Sequence, residues 1–156
     1  MIHDLESVLR AQPFFDGLPS ELVTVMVECA RNVRFDAGQR IFGQGEDADL
    51  FYLLRAGRVT LEVHDPTLGV RVVQTLEPGE VLGWSWLFAP YRWAWTARAV
   101  ETSRALAMDG RCLRRKFDED PALGYAFMQR VGRALSERLH AARLQMLDLY
   151  RHGKSV

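Results

Sequence analysis

The chain has little of what most chemical sites are built from. It carries two cysteines and four histidines among 156 residues. Cys29 and Cys112 stand far apart with no Cys-x-x-Cys spacing, which removes the common zinc and dithiol motifs and leads us to expect two buried free thiols rather than a disulfide. His3, His64, His140 and His152 are equally scattered, so no set of ligands with metal-binding spacing exists. Nor is there a long apolar run. Nothing approaches the roughly 18 consecutive apolar residues of a spanning helix, and the N-terminus shows no basic stretch followed by an apolar one. A cytoplasmic protein without a membrane partner is therefore expected.

Charge of one sign is also missing, because 20 Lys and Arg balance 20 Asp and Glu. The balance conceals an asymmetry: residues 111–156 carry ten basic against five acidic side chains, and the preceding residues ten against fifteen. The basic residues of the tail are spread around a helical pattern and do not form a block, which marks a solvated face rather than a nucleic-acid patch. With 48% hydrophobic and 26% charged residues, the composition is that of a globular chain long enough for one domain with a real core.

What the chain does have is tryptophan, concentrated. Trp84, Trp86, Trp93 and Trp95 fall within twelve positions, in the stretch from Leu82 to Ala97. Indole offers a large apolar area that is costly to leave in water. These rings are either covered or line something, and the stretch is the leading candidate for a site.

Along the chain, Ile2, Leu5, Val8 and Leu9 have helical spacing that Pro13 ends. Ser20 has the look of an N-cap for a second helix carrying Leu22, Val23, Val25, Met26 and Val27. From Val33 the texture changes to short runs separated by glycines from Gly38 to Gly83, as in strands joined by turns. Val59, Leu61 and Val63 alternate with polar residues, and after the turn at Asp65–Gly69 so do Val70, Val72 and Leu76. Both runs predict half-buried strands. Ala97, Ala99, Ser103, Ala105 and Ala107 predict a last strand or pair of strands. Asp109 is placed to cap a short helix with Cys112, Leu113 and Phe117, and Asp120-Pro121 to open a long one reaching about Tyr150.

That long helix has the clearest period in the sequence. Met128, Gly132, Leu135, Leu139, Ala142, Met146 and Leu149 repeat at alternating four and three residues, a heptad seam that a second copy of the chain would cover. Tyr125, Phe127 and Val131 are expected to pack on the helix's own domain. The domain divides, on this reading, into a helical lead-in over 1–32, strands over 33–108 and C-terminal helices over 109–150.

Phe35-Asp36-Ala37-Gly38-Gln39-Arg40-Ile41-Phe42-Gly43-Gln44-Gly45-Glu46, then Asp49-Leu50-Phe51-Tyr52-Leu53-Leu54-Arg55-Ala56-Gly57-Arg58-Val59, and Leu76-Glu77-Pro78-Gly79-Glu80-Val81-Leu82-Gly83 resemble the signature of cyclic-nucleotide-binding domains. The resemblance implies a mainly β fold, an antiparallel β-roll of jelly-roll type with flanking helices and a long C-terminal helix. It also implies a phosphate-binding cassette similar to Gly-Glu-x-Ala-Leu followed by Arg-x-Ala-Thr. In such a cassette a helix N-terminus and an arginine hold the cyclic phosphate, and a glutamate accepts from the ribose.

The candidate cassette here is Gly83, Trp84, Ser85, Trp86, Leu87, Arg92, Trp93 and Ala94. Gly83 and Leu87 match, but Trp84 stands at the glutamate position and Trp86 at the alanine. Counting back from Arg98-Ala99 puts Trp93 at the phosphate arginine, with Arg92 one residue away. Three readings follow. The indoles fill the former nucleotide cavity as core; they line a pocket for another small aromatic or apolar ligand; or a cyclic nucleotide, cAMP or cGMP, still binds through Arg92, Ser85 and backbone N–H groups.

Transcription regulators that resemble this chain carry a helix-turn-helix after the long helix, whereas only Arg151–Val156 follow here. No DNA-binding domain is expected in the chain. The expected function is a regulatory or sensor module with reduced or lost nucleotide affinity, homodimeric through Leu135, Leu139, Ala142, Met146 and Leu149, acting on a separate output partner. The alternative is a structural or interaction protein with a filled cavity. An enzyme is not expected, since the metal-dependent cupins built on similar rolls need clustered His and Glu ligands that His64 lacks.

Overall fold

A computed structural model describes residues 2–153. Helix α1 (Ile2–Arg10) and a 3-10 turn (Pro13–Phe15) lead to α2 (Ser20–Glu28). Eight strands follow: β1 (Ala30–Phe35), β2 (Arg40–Phe42), β3 (Leu50–Ala56), β4 (Val59–Asp65), β5 (Gly69–Leu76), β6 (Val81–Leu82), β7 (Thr96–Ala99) and β8 (Ser103–Asp109). Helices α3 (Gly110–Glu119) and α4 (Pro121–His152) complete the chain. The strands form two antiparallel four-stranded sheets, ordered β1-β8-β3-β6 and β2-β7-β4-β5, which is the β-roll with flanking helices that the sequence implied.

The first sheet is covered on both faces. In β3, Phe51, Tyr52, Leu53 and Leu54 are all buried, and in β8 so are Ala105, Leu106, Ala107 and Met108. Consecutive residues of a strand face opposite ways. Phe51 meets Phe14 and Phe127 of the helical layer, while its neighbour Tyr52 meets Phe35 and, across the roll, Phe42 of β2. Two cores thus share one sheet: an aromatic layer under the helices and the interior of the roll.

Several local expectations change. The strands begin at Ala30, ahead of Val33. Ser20 lies inside α2, whose N-cap is Pro19, and its side chain caps nothing; the proline already fixes the extended entry, leaving the backbone carbonyl of Pro19 to accept from Leu22 and Val23. Asp120 does precede α4, but its backbone carbonyl and not its carboxylate accepts from the first turn. Asp109, in contrast, caps α3 by accepting from the N–H groups of Arg111 and Cys112.

Strand β5 is not half-buried. Val70, Val72 and Val73 are exposed, because β5 is the edge of its sheet and pairs only with β4. The turn between these strands is fixed by Asp65, which accepts from Leu68 and Thr67. Those two N–H groups hold its carboxyl below the usual carboxylate range.

The cysteines also depart from expectation. Cys29 and Cys112 form a disulfide with their Cα atoms 6.0 Å apart. Pairing of Ala30 with Met108 sets the end of α2 beside the start of α3, and Asp109 N–H donates to the carbonyl of Cys29. Long-range strand register made this approach, which local cysteine spacing does not report.

Candidate functional site

The tryptophan stretch connects β6 to β7. It leaves β6 at Gly83, turns through a 3-10 segment (Ser85–Leu87), and returns along Tyr91–Trp93 beside the loop between β2 and β3. There Ala48 N–H donates to Tyr91 O, Trp93 N–H to Glu46 O and Gly45 N–H to Trp93 O. This strand-like lacing fixes alternation, so that Trp93 turns inward and Arg92 outward.

Trp93 is 5% exposed and stacks on Phe42 with ring centroids 3.7 Å apart and planes 6° from parallel. It lies directly beneath Gly83, where an added Cβ would come within 2.1 Å of the indole. Arg92 instead donates to Gly45 O and pairs with Asp47 at 3.2 Å in solvent. The reading in which Arg92 faces the cavity is corrected by this geometry: among the described residues it does not line the cavity, and the inward position is held by an indole.

Trp84 and Trp86 diverge from one another, as residues two apart do on a turn of three residues per repeat. Trp86 is fully buried among Phe51 and Phe127, close under Gly110 of α3. It belongs to the helical core and not to the roll cavity, which corrects its place in the candidate cassette. Arg114 of α3 donates to the Trp86 carbonyl and lies over the Tyr91 ring at 4.3 Å, so α3 grips the cassette from behind. Leu87 packs partly buried against the core. Trp84 sits between the layers, against Phe14 at 5.7 Å and Phe51 at 5.6 Å. The indole N–H groups of Trp84 and Trp86 are both buried and have no hydrogen-bond partner among the described residues.

A cavity of about 300 Å3 remains between the cassette, the roll and α4. Of the candidate residues, Gly83, Trp84, Ser85, Trp93 and Ala94 line it. Sequence reasoning did not assign Trp95, Phe42, Leu61, Gln74 or Arg138 to it, and it gave Leu135 to the dimer seam; the structure sets all six on its wall. Arg138 donates to Val81 O at 2.7 Å and lies 5.9 Å from the Trp84 ring. Burial pushes its guanidinium down from the ordinary value, with the Glu80 carboxylate acting in the opposite sense. No local signal distinguishes Arg138 in the sequence, where it is one of ten basic residues in the tail.

Against known proteins, the family profile described as "Cyclic nucleotide-binding domain" matches residues 32–120. The chain belongs to the cyclic nucleotide-binding domain family. A Geobacter metallireducens structure described as a cyclic nucleotide-binding protein superposes with a TM-score of 0.78 at 30% identity, over 86% of this chain and 98% of that one. The Thermus thermophilus catabolite activator protein gives 0.69 at 27% identity, over 89% of this chain and 63% of that one. The CRP-like cAMP-activated global transcriptional regulator of Mycobacterium tuberculosis is 22% identical over 145 residues, which are 93% of this chain. This chain spans 63% of that regulator's length.

Trp84 and Trp93, which the sequence resemblance sets at the glutamate and arginine of the cassette, both lie on the cavity wall. Among the described residues, no cluster of three metal-ligating side chains occurs and no helix is long and apolar enough to cross a membrane. The seam of α4 is solvent-facing: Met128, Leu135, Leu139, Met146 and Leu149 are exposed, the last to 75%, and Ala142 is exposed with them. Phe127 and Val131 pack inward as expected, whereas Tyr125, expected to pack with them, is 67% exposed.

Proposed function

We propose that the chain is a regulatory sensor domain in which a ligand enters the cavity between cassette and α4, and in which cyclic-nucleotide affinity is reduced or lost. The observation that carries this reading is Trp93. It faces inward, stacked on Phe42, at the position the sequence resemblance gives to the phosphate arginine, while the nearby cation Arg92 is tied to Asp47. A cyclic phosphate placed there forfeits a charge-assisted hydrogen bond worth about 1.5–3 kcal/mol and bears a desolvation cost besides. Loss of 10- to 100-fold in affinity or more follows at about 1.4 kcal/mol per decade.

The domain acts, on this proposal, as a homodimer through the exposed seam of α4, in the cytoplasm, without catalysis and on a separate output protein. A second reading, an interaction protein whose cavity is core, is favoured by the Trp93–Phe42 stack that already fills part of the roll. Isothermal titration with cAMP and cGMP tests the main reading. Dissociation constants weaker than about 0.1 mM are expected, and a low-micromolar value for either nucleotide would overturn it.

A further inference from the structure

We infer that the cavity takes a small planar aromatic acid whose carboxylate is held by Arg138 from α4. The inference rests on reading the cavity as a ligand site. Its walls are indole: Trp84, Trp93 and Trp95 line it, the last 41% exposed at the rim. Indole faces favour stacking of a flat ring. A volume of about 300 Å3 is at the small end for ligand pockets, which suits one or two fused rings.

Arg138 is the single charged side chain on the wall. Of the five N–H donors of a guanidinium, one is used on Val81 O, and among the described residues Arg138 forms no ion pair. A partly buried cation without an anion is costly, and a bidentate carboxylate is the shape that satisfies its remaining donors. The Glu80 carboxylate acts electrostatically on Arg138 without forming an ion pair with it among the described residues, and it accepts from Glu77 N–H. Gln74 and Ser85 also line the cavity, and their side chains make no hydrogen bond among the described residues, leaving an amide and a hydroxyl for a polar substituent on the ring.

The charge has moved relative to the family's cassette. There a cation is supplied from the loop beneath the phosphate; here it comes from the helix above. A ligand held this way bridges indole walls and α4 directly, and so reports its presence to the helix that carries the exposed seam.

Titration calorimetry on the full chain tests this with matched probes: indole-3-acetate and 4-hydroxybenzoate, each beside its neutral primary amide, together with cAMP. At least one acid is expected to bind about tenfold or more tightly than its amide. Arg138→Gln should abolish that preference while leaving amide binding in place, and Arg138→Lys should restore part of it. Equal binding of acid and amide would overturn the inference and leave the ligand-site reading standing. Absence of binding by all acids and amides would overturn both. Tight cAMP binding that is indifferent to Arg138→Gln would overturn it in favour of a cassette that still holds phosphate.

Discussion

Gly83 shows how much one missing Cβ decides. Its φ of 77° lies in the left-handed region, and a methyl there would meet the Trp93 ring at 2.1 Å. The glycine is needed twice, for the turn after β6 and for the indole beneath it. Gly38 separates the two effects, since it has a φ of 83° with nothing within 4 Å of an added Cβ. Gly38→Ala is expected to cost only backbone strain, about 1–2 kcal/mol. Gly83→Ala should cost about 1–3 kcal/mol more through overpacking, read as a lower melting temperature and a changed emission from Trp93. Equal losses in the two variants would mean that the ring moves aside freely. At this scale the sequence was half legible. Counting back from Arg98-Ala99 sets Trp93 at the phosphate arginine of the resemblance, and what the structure adds is orientation: the lacing of 91–93 to 45–48 turns Trp93 inward and Arg92 outward. Trp86 was misassigned because a short 3-10 turn sends neighbouring indoles into different cores, and no periodicity in the sequence announces it.

Elements were more legible than their surroundings. Glycine turns, the Asp109 cap and the α4 period are written in local sequence, and the structure has all of them. The exposure of β5 is not, since an edge strand and a buried one can carry the same valines. The disulfide is the sharpest case, made by the β1–β8 register across 83 residues of chain. It joins the end of α2 to α3, the helix whose Arg114 grips the cassette at Trp86 and Tyr91. Closing a loop of that length removes up to about 4.5 kcal/mol of unfolded-state entropy. Oxidised protein should therefore melt higher than protein treated with dithiothreitol, by several degrees or more, and Cys112→Ser should melt like the reduced form and ignore the reductant. A melting temperature unmoved by reductant would show that native packing already holds α2 and α3 together.

For the molecule as a whole, α4 joins the two properties that matter. Leu135 lines the cavity and belongs to the heptad seam, and Arg138 on the cavity wall directly precedes Leu139 of the seam. A ligand that repositions Leu135 and Arg138 must alter the surface offered to a second copy, which couples occupancy to assembly without a further moving part. Beyond Leu135 the seam is exposed at Leu139, Met146 and Leu149, so much of its apolar area gains little from folding of the single chain. It gains from association, where roughly 25 cal/mol per Å2 of buried apolar surface is available. Sedimentation equilibrium at micromolar concentration should find a dimer. Met146→Asp should raise the dimer dissociation constant by about tenfold or more, since a carboxylate in the seam must be desolvated. Leu144→Asp, equally apolar in origin and exposed but off the seam, should have a much smaller effect. Because both side chains are solvent-facing in the single chain, neither variant should unfold it, and a wild-type chain that sediments as a monomer would leave α4 without the role argued for it.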